Sequence, residues 1–194
     1  GGLALSKPMR WGNGRDEFPR PVHWMLAMID DQVVPMTLFG LNSSNLTFGH
    51  RFMAPDPMTI DHAGQYHRHL TNAYVIADFE QRQRATWDTI QQSAQEHGVT
   101  VELDQDLLTE INCLVEWPVA LCGEFEERFL DVPDIALIAA MKGHQKYFHT
   151  RDTSGALSNR FITVSNIESK DPKKVIAGNQ RVIRARLSDA KFFF

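Results

Sequence analysis

The sequence predicts an α+β fold, with a mixed, largely antiparallel sheet built from hairpins and helices packed against it. Three observations carry this expectation. Residues 21–39 alternate and turn as a hairpin, His144 to Asn166 read as a second hairpin, and capped amphipathic helices begin at Asp78 and Asp171. With 194 residues and 43% hydrophobic content, the chain can fold as one sizeable domain or two small ones.

In the first hairpin, Val22 to Ile29 is compact and apolar, Asp30-Asp31 supplies the turn, and Gln32 to Phe39 returns with Val33, Val34, Met36 and Leu38. Pro35 lacks an amide donor, which puts the returning strand at an edge or a bulge. Gly40 to Asn45 reads as a polar loop, and Leu46 to Phe52 as a strand interrupted by Gly49. Asp61 is positioned to cap a short helix to about Asn72.

The clearest helix starts at Asp78, with Gln81 in a capping-box position. Phe79, Gln83, Trp87, Ile90 and Ala94 follow at helical spacing, and Gly98 ends it. A strand from Val99 to Leu103 and a helix from Asp104 to about Leu114 follow, then a strand over Glu116 to Phe125. Asp134 caps an expected helix from Ile135 to Met141, which is apolar almost all round and hence predicted to be buried. Gly143 is expected to set the turn into the second hairpin, which itself turns at Thr153-Ser154-Gly155 and returns over Arg160 to Asn166. Asp171 as cap and Pro172 at the first helical position launch the last helix, whose apolar stripe is Val175, Ile176, Val182, Ile183, Leu187 and Ala190.

The net charge of −4 hides a strong segregation. Between Glu102 and Asp134 ten acids stand against Arg128 alone, whereas Glu168 to Lys191 holds seven bases against three acids. A polyanion would avoid the first region and approach the second. Cys113 and Cys122 lack zinc-site spacing and disulfide density, so both are expected to be small buried hydrophobes. No stretch approaches the roughly 20 apolar residues of a membrane span, no leader is evident, and the expected location is the cytoplasm. Gly1-Gly2 reads as a cloning remnant, and the closing Phe192-Phe193-Phe194 as the edge of a packing surface that continues in further sequence.

Four groups of residues have chemical potential. His62, His67 and His69 are the densest histidines, yet they lack a metal-binding motif, so a solvated helix face is the simpler account and no metal is assigned. His50 beside Gly49 and Arg51 suits either a general base or a strand bulge. Glu116 before Trp117-Pro118 opens a strand expected to be buried, where a carboxylate is either an acid catalyst or a satisfied structural group. Lys142, His144, Lys146 and Tyr147, with the basic last helix, combine cations with rings, which suits looped or single-stranded RNA as well as a plain solvated surface. Neither a phosphate-cradling glycine loop nor a GxSxG nucleophile motif is present.

Several blocks in order resemble one family. They are PMRWG (8–12), FPRPVH (18–23), GHRFM (49–53), VIAD (75–78), LVEWP (114–118), MKGHQKYF (141–148), SNIESKDP (165–172) and RARLSDAKFFF (184–194). Together they are similar to an internal segment of the β subunit of bacterial heterotetrameric glycyl-tRNA synthetase. That resemblance implies a B3/B4-type domain, similar to the one that edits mischarged tRNA in phenylalanyl-tRNA synthetase. It divides the chain into a lead-in (1–8), a B3/B4-like domain (9–170) and a basic helix (171–194) leading toward a helical HD-like domain in further sequence.

The family further implies that glycine activation, with its ATP and magnesium, belongs to a separate α subunit, so ATP and nucleotide binding are properties of the assembled ligase. No cofactor is expected in this segment. The implied partners are the α subunit, tRNA(Gly) and the remaining β-subunit domains, with neither membrane nor DNA among them. The expected role is a noncatalytic one in tRNA binding and heterotetramer assembly, through Lys142, His144, Lys146, Lys170, Lys173, Lys174, Arg181, Arg184 and Arg186. The alternatives are an editing-type hydrolase using His50, Glu116 or His144, and a purely structural docking domain.

Overall fold

The computed structural model describes residues 7–193, apart from the side chains of His144 and Phe193. The expected Gly1-Gly2 remnant and Phe194 fall outside the described residues. The chain forms two compact units, Gly1–Val75 and Ile76–Phe194. The predicted α+β class holds: among the described residues five α-helices accompany sheets in which every paired strand is antiparallel.

The first unit is a succession of short ribbons. β1 (Met9–Arg10) pairs with β2 (Glu17–Phe18), β3 (Met28–Ile29) with β4 (Gln32–Val33), β5 (Thr37–Leu38) with β6 (Leu41–Asn42), and β7 (Leu46–Phe48) with β8 (Pro57–Thr59). The predicted 21–39 hairpin survives only around its Asp30-Asp31 turn, where Asp30 adopts φ +50°. Pro35 lies between β4 and β5 and separates them into different ribbons. The expected loop 40–45 contains β6, because Phe39 and Gly40 both take positive φ (+54° and +74°), the signature of a tight type I′ hairpin turn.

Strand β7 ends at Phe48 rather than running on to Phe52. Gly49 approaches the end of α1 (Tyr66–Asn72) so closely that a Cβ would stand 2.4 Å from Ala73 Cβ, and His50 N–H donates to Ala73 O at 2.8 Å. Asp61 is not the cap. His62 Nδ1 accepts from Gly64 N–H at 3.1 Å and opens a 3₁₀ turn (Ala63–Gln65) that feeds α1.

The second unit is a three-layer packing around one sheet. Helix α2 (Phe79–Glu96) starts as predicted, with Asp78 Oδ1 accepting from Gln81 N–H at 2.7 Å, and stops at Gly98, φ +66°. The predicted strand 99–103 reduces to one bridge between Thr100 and Arg151. Helix α3 (Gln105–Asn112) is capped by Asp104, whose Oδ1 accepts from Leu107 N–H at 3.0 Å. β9 (Val119–Glu124) and, after α4 (Asp134–Ala140), β10 (Phe148–Arg151) and β11 (Leu157–Ser165) form the sheet in the order β10-β11-β9. Helix α5 (Pro172–Phe193) completes the unit.

The two-residue alternation of β11 assigns the layers. Ile162 and Val164 join Phe148, Ala120 and the α2/α3 residues Ile90, Ala94, Leu107, Leu108 and Ile111 on one face. Phe161 joins Tyr147 and the α4/α5 residues Leu137, Ile183 and Leu187, with Phe129, on the other.

Four local expectations do not hold. Asp134 makes no side-chain cap, and α4 is not buried all round: Leu137 is fully buried, but Ile135 is 78% exposed because only one helix face meets the core. Gly143 does not set the turn into β10. A π-helical turn (Met141–Gln145) ends at Lys146, which takes the left-handed conformation (φ +57°), and Tyr147 N–H returns to Met141 O at 3.1 Å. Cys113 is exposed at the end of α3 and Cys122 half-buried, with burial raising the thiol pKa of Cys122.

Candidate nucleic-acid interface

Helix α5 is held in one rotation by its apolar stripe. Ile183 and Leu187 are fully buried, whereas Val182 is 44% exposed. Near its start, Asp171 Oδ1 accepts from Lys174 N–H at 3.2 Å, and Asn179 accepts from the Tyr147 hydroxyl at 2.8 Å while donating to Val175 O. Burial pushes that tyrosine up to about 12, so it remains a hydrogen-bond donor.

At about 3.6 residues per turn, this rotation directs Lys174 and Arg181 away from the core. Lys173, Arg184 and Lys191 lie along one flank and Arg186 on the other. All six are exposed, as is Lys170 just before the helix. Their engagements differ. Arg184 Nε lies 2.6 Å from Glu126 Oε1, Lys191 Nζ 3.0 Å from Asp131 Oδ2, and Lys174 Nζ 3.2 Å from Asp171 Oδ2. Arg181 Nε donates to its own helix at Ala177 O. The side chains of Lys170, Lys173 and Arg186 have no hydrogen-bond or ion-pair partner among the described residues.

The cations of the 141–148 stretch are engaged elsewhere. Lys142 Nζ lies 2.5 Å from Asp104 Oδ2, and Lys146 Nζ lies 2.9 Å from Glu110 Oε1. The hydrogen bond to Asp104 raises the Lys142 pKa. Burial works to raise that of Asp104, but the Lys142 hydrogen bond and the Leu107 amide outweigh it and leave it lowered. The His144 side chain lies outside the described residues. The acidic and basic segments therefore neutralise one another in part. Their opposite signs were visible in the sequence, but the individual pairings depend on the packing of α3, α5 and the β9–α4 connection.

The remaining candidates occupy structural positions. In the first unit His50 is buried, and its Nδ1 accepts from Phe52 N–H (3.3 Å) and Met53 N–H (3.2 Å), leaving that nitrogen no lone pair for base chemistry. In the second unit Glu116 is exposed rather than buried, because the strand it was expected to open begins only at Val119. The carboxylate that meets Trp117 is Glu168, whose Oε1 accepts from indole Nε1 at 2.8 Å. Asn166 Oδ1 holds the same loop by accepting from Glu116 N–H (2.6 Å) and Trp117 N–H (3.0 Å).

Trp117 and Glu168 line an open cleft of about 480 Å³ with Ile76, Ala85, Thr89, Pro118 and Val119. Sequence reasoning missed Glu168 and Asn166 because their partners lie some fifty positions away; their hydrogen-bonding side chains directly after a strand were the available signal. His62 caps the 3₁₀ turn and His69 Nε2 meets Gln65 Oε1 at 3.3 Å. Among the described residues no group of three or more His, Cys, Asp or Glu is placed to hold a metal ion. Among them, too, no helix is long and apolar enough to cross a membrane.

Comparison with known proteins sets this arrangement in a family. The profile of the family described as "Glycyl-tRNA synthetase beta subunit" matches residues 1–194. Proteins named glycine–tRNA ligase beta subunit from Chromohalobacter salexigens (52% identity), Hahella chejuensis (49%) and Acinetobacter baylyi (49%) each align with 99% of this chain. The chain spans 28% of the length of each of these relatives. On this likeness along its whole length, the chain belongs to the glycyl-tRNA synthetase β-subunit family.

Proposed function

We propose that this chain is a noncatalytic, tRNA-facing segment of a glycine–tRNA ligase β subunit. In this reading it supports tRNA(Gly) binding and heterotetramer assembly in the cytoplasm, while ATP- and magnesium-dependent glycylation is carried out by a separate α subunit. One observation carries the reading beyond family membership: α5 turns a row of exposed cations away from its core stripe, and Lys170 and Lys173 remain without partners among the described residues. Such a face attracts a phosphate backbone without reading its sequence. Lys142 and Lys146 belong to the same proposed set, but their charge is already matched by Asp104 and Glu110. The weight of the proposal therefore falls on α5.

The test is charge reversal in the full-length assembled ligase. Lys170→Glu, Lys173→Glu and Arg181→Glu together are expected to raise the KM for tRNA(Gly) about tenfold or more, leave the KM for glycine unchanged, and flatten the salt dependence of tRNA binding. Unchanged tRNA kinetics would remove RNA from this face and assign it to contact with another part of the assembly. An editing hydrolase finds no support at His50, whose Nδ1 is occupied by two backbone amides.

A further inference from the structure

Apart from Asp171 at its own start, the carboxylates that pair with α5 among the described residues come from one short connection. Glu126 and Asp131 lie between β9 and α4, in a segment pinned from below by Phe125, Phe129 and Val132, which are buried in the same core cluster as Ile183 and Leu187. The apolar anchors fix the backbone, so the two acids are carried to their positions along the Lys173–Arg184–Lys191 flank. Arg184 and Lys191 lie about two turns apart and each receives one carboxylate, at 2.6 and 3.0 Å. Neither acid has a further side-chain partner among the described residues. Asp104 differs, because it also caps α3 and is needed there.

These contacts are placed to exchange. Both pairs are solvent-accessible, with side-chain exposures of 54% for Arg184, 37% for Glu126, 40% for Lys191 and 78% for Asp131. Pairs of this kind add little to folding, so separating them has a small cost. An open cleft of about 480 Å³, lined by Glu124, Glu126 and Glu127 with Asn159, Gln180 and Arg184, exposes the guanidinium to solvent, and an anion entering it meets these carboxylates first. Lys191 Nζ also donates to Arg128 O. A phosphate that takes the Nε edge of Arg184 or the Asp131 side of Lys191 replaces a carboxylate oxygen of the same sign and similar hydrogen-bonding geometry, and one that binds a remaining N–H of either group still meets the repulsion of the neighbouring carboxylate.

We infer that Glu126 and Asp131 are built-in competitors for RNA phosphate: they occupy Arg184 and Lys191 in the free protein and are displaced when tRNA docks along α5. This rests on the reading of α5 as a tRNA-facing element. Its consequence is a deliberately weakened electrostatic face. RNA that engages only this flank binds poorly, whereas tRNA held by further contacts elsewhere in the ligase displaces the acids.

The experiment uses the full-length assembled ligase, a tRNA(Gly) transcript and a non-cognate tRNA, with binding measured at low and moderate salt. Glu126→Gln with Asp131→Asn is expected to tighten binding of both RNAs about threefold to tenfold at low salt, with the gain shrinking as salt rises. The paired control, Glu80→Gln with Asp88→Asn on α2, removes the same charge from exposed acids that have no partner among the described residues. It is expected to change binding less than twofold. The single variants Glu126→Gln and Asp131→Asn, each expected to show a smaller gain, keep the test decisive if the double variant fails to fold.

Equal gains from the control pair would overturn the inference in favour of a net-charge effect. So would no gain from Glu126→Gln and Asp131→Asn, when Lys173→Glu with Arg181→Glu does weaken binding. If that reversal leaves tRNA binding untouched, the tRNA-facing reading of α5 fails and the inference falls with it, a separate and recognisable outcome.

Discussion

Gly123 stands opposite Phe161 in the β9–β11 ladder, and a Cβ built on it would lie 2.4 Å from Phe161 Cζ. The ring has little freedom to retreat, since it is stacked on Tyr147 with centroids 4.7 Å apart and is itself fully buried. Gly123→Ala is therefore expected to destabilise the chain by about 1–3 kcal/mol, read as a lower denaturant midpoint with an unchanged slope. His149 gives a second residue-level prediction. Its Nε2 is buried without a partner among the described residues, and burial, reinforced by the Arg151 charge and opposed by Glu102, Asp104 and Asp134, lowers its pKa. The folded chain thus resists a proton that the unfolded chain accepts near pH 6.5, so stability is full above that value and falls as the pH drops below it. Unfolding between pH 7 and 5 should show this slope, and His149→Gln should flatten it; an identical slope in the variant would remove His149 as its source.

Among the elements, α5 separates a buried stripe from an exposed one, and the two should respond differently to truncation. Leu187→Ala is expected to cost about 2–5 kcal/mol and Val182→Ala less than about 0.5, measured by chemical unfolding. Equal costs would mean that the helix is rotated from the position described. Helices α2 and α5 were legible in the sequence because each begins with an aspartate cap and carries its own apolar period. Asp104 gives α3 the same kind of cap, and outside these three helices local signals of that strength were missing. Val99 to Leu103 has strand composition, but among the described residues its one bridge to the sheet joins Thr100 to Arg151. Ile135 looked buried because α4 is apolar on every side, and composition cannot say that just one side meets a neighbour. In the first unit the prolines and positive-φ turns divided expected long strands into two- and three-residue ribbons. The turn into β10 was assigned to Gly143 on propensity, yet Lys146 takes the left-handed conformation there, held by the Tyr147 amide and the packing of its ring.

For the whole molecule, segregation of charge along the sequence became contact in space. Arg184 and Lys191 of the basic segment pair with Glu126 and Asp131 of the acidic one, and Lys142 and Lys146 take two further acids. A count of basic residues therefore overstates the cationic surface open to a polyanion. The uncommitted part is Lys170, Lys173 and Arg186, with Lys174 and Arg181 held only by contacts within their own segment. The central claim, that α5 is the tRNA-facing surface of this segment, is tested most directly by a lysine-modification footprint of the full-length assembled ligase with and without tRNA(Gly). The account predicts that tRNA protects Lys170, Lys173 and Lys174 more strongly than Lys142 and Lys146. Unchanged modification at Lys170, Lys173 and Lys174, with protection confined to other parts of the ligase, would contradict it.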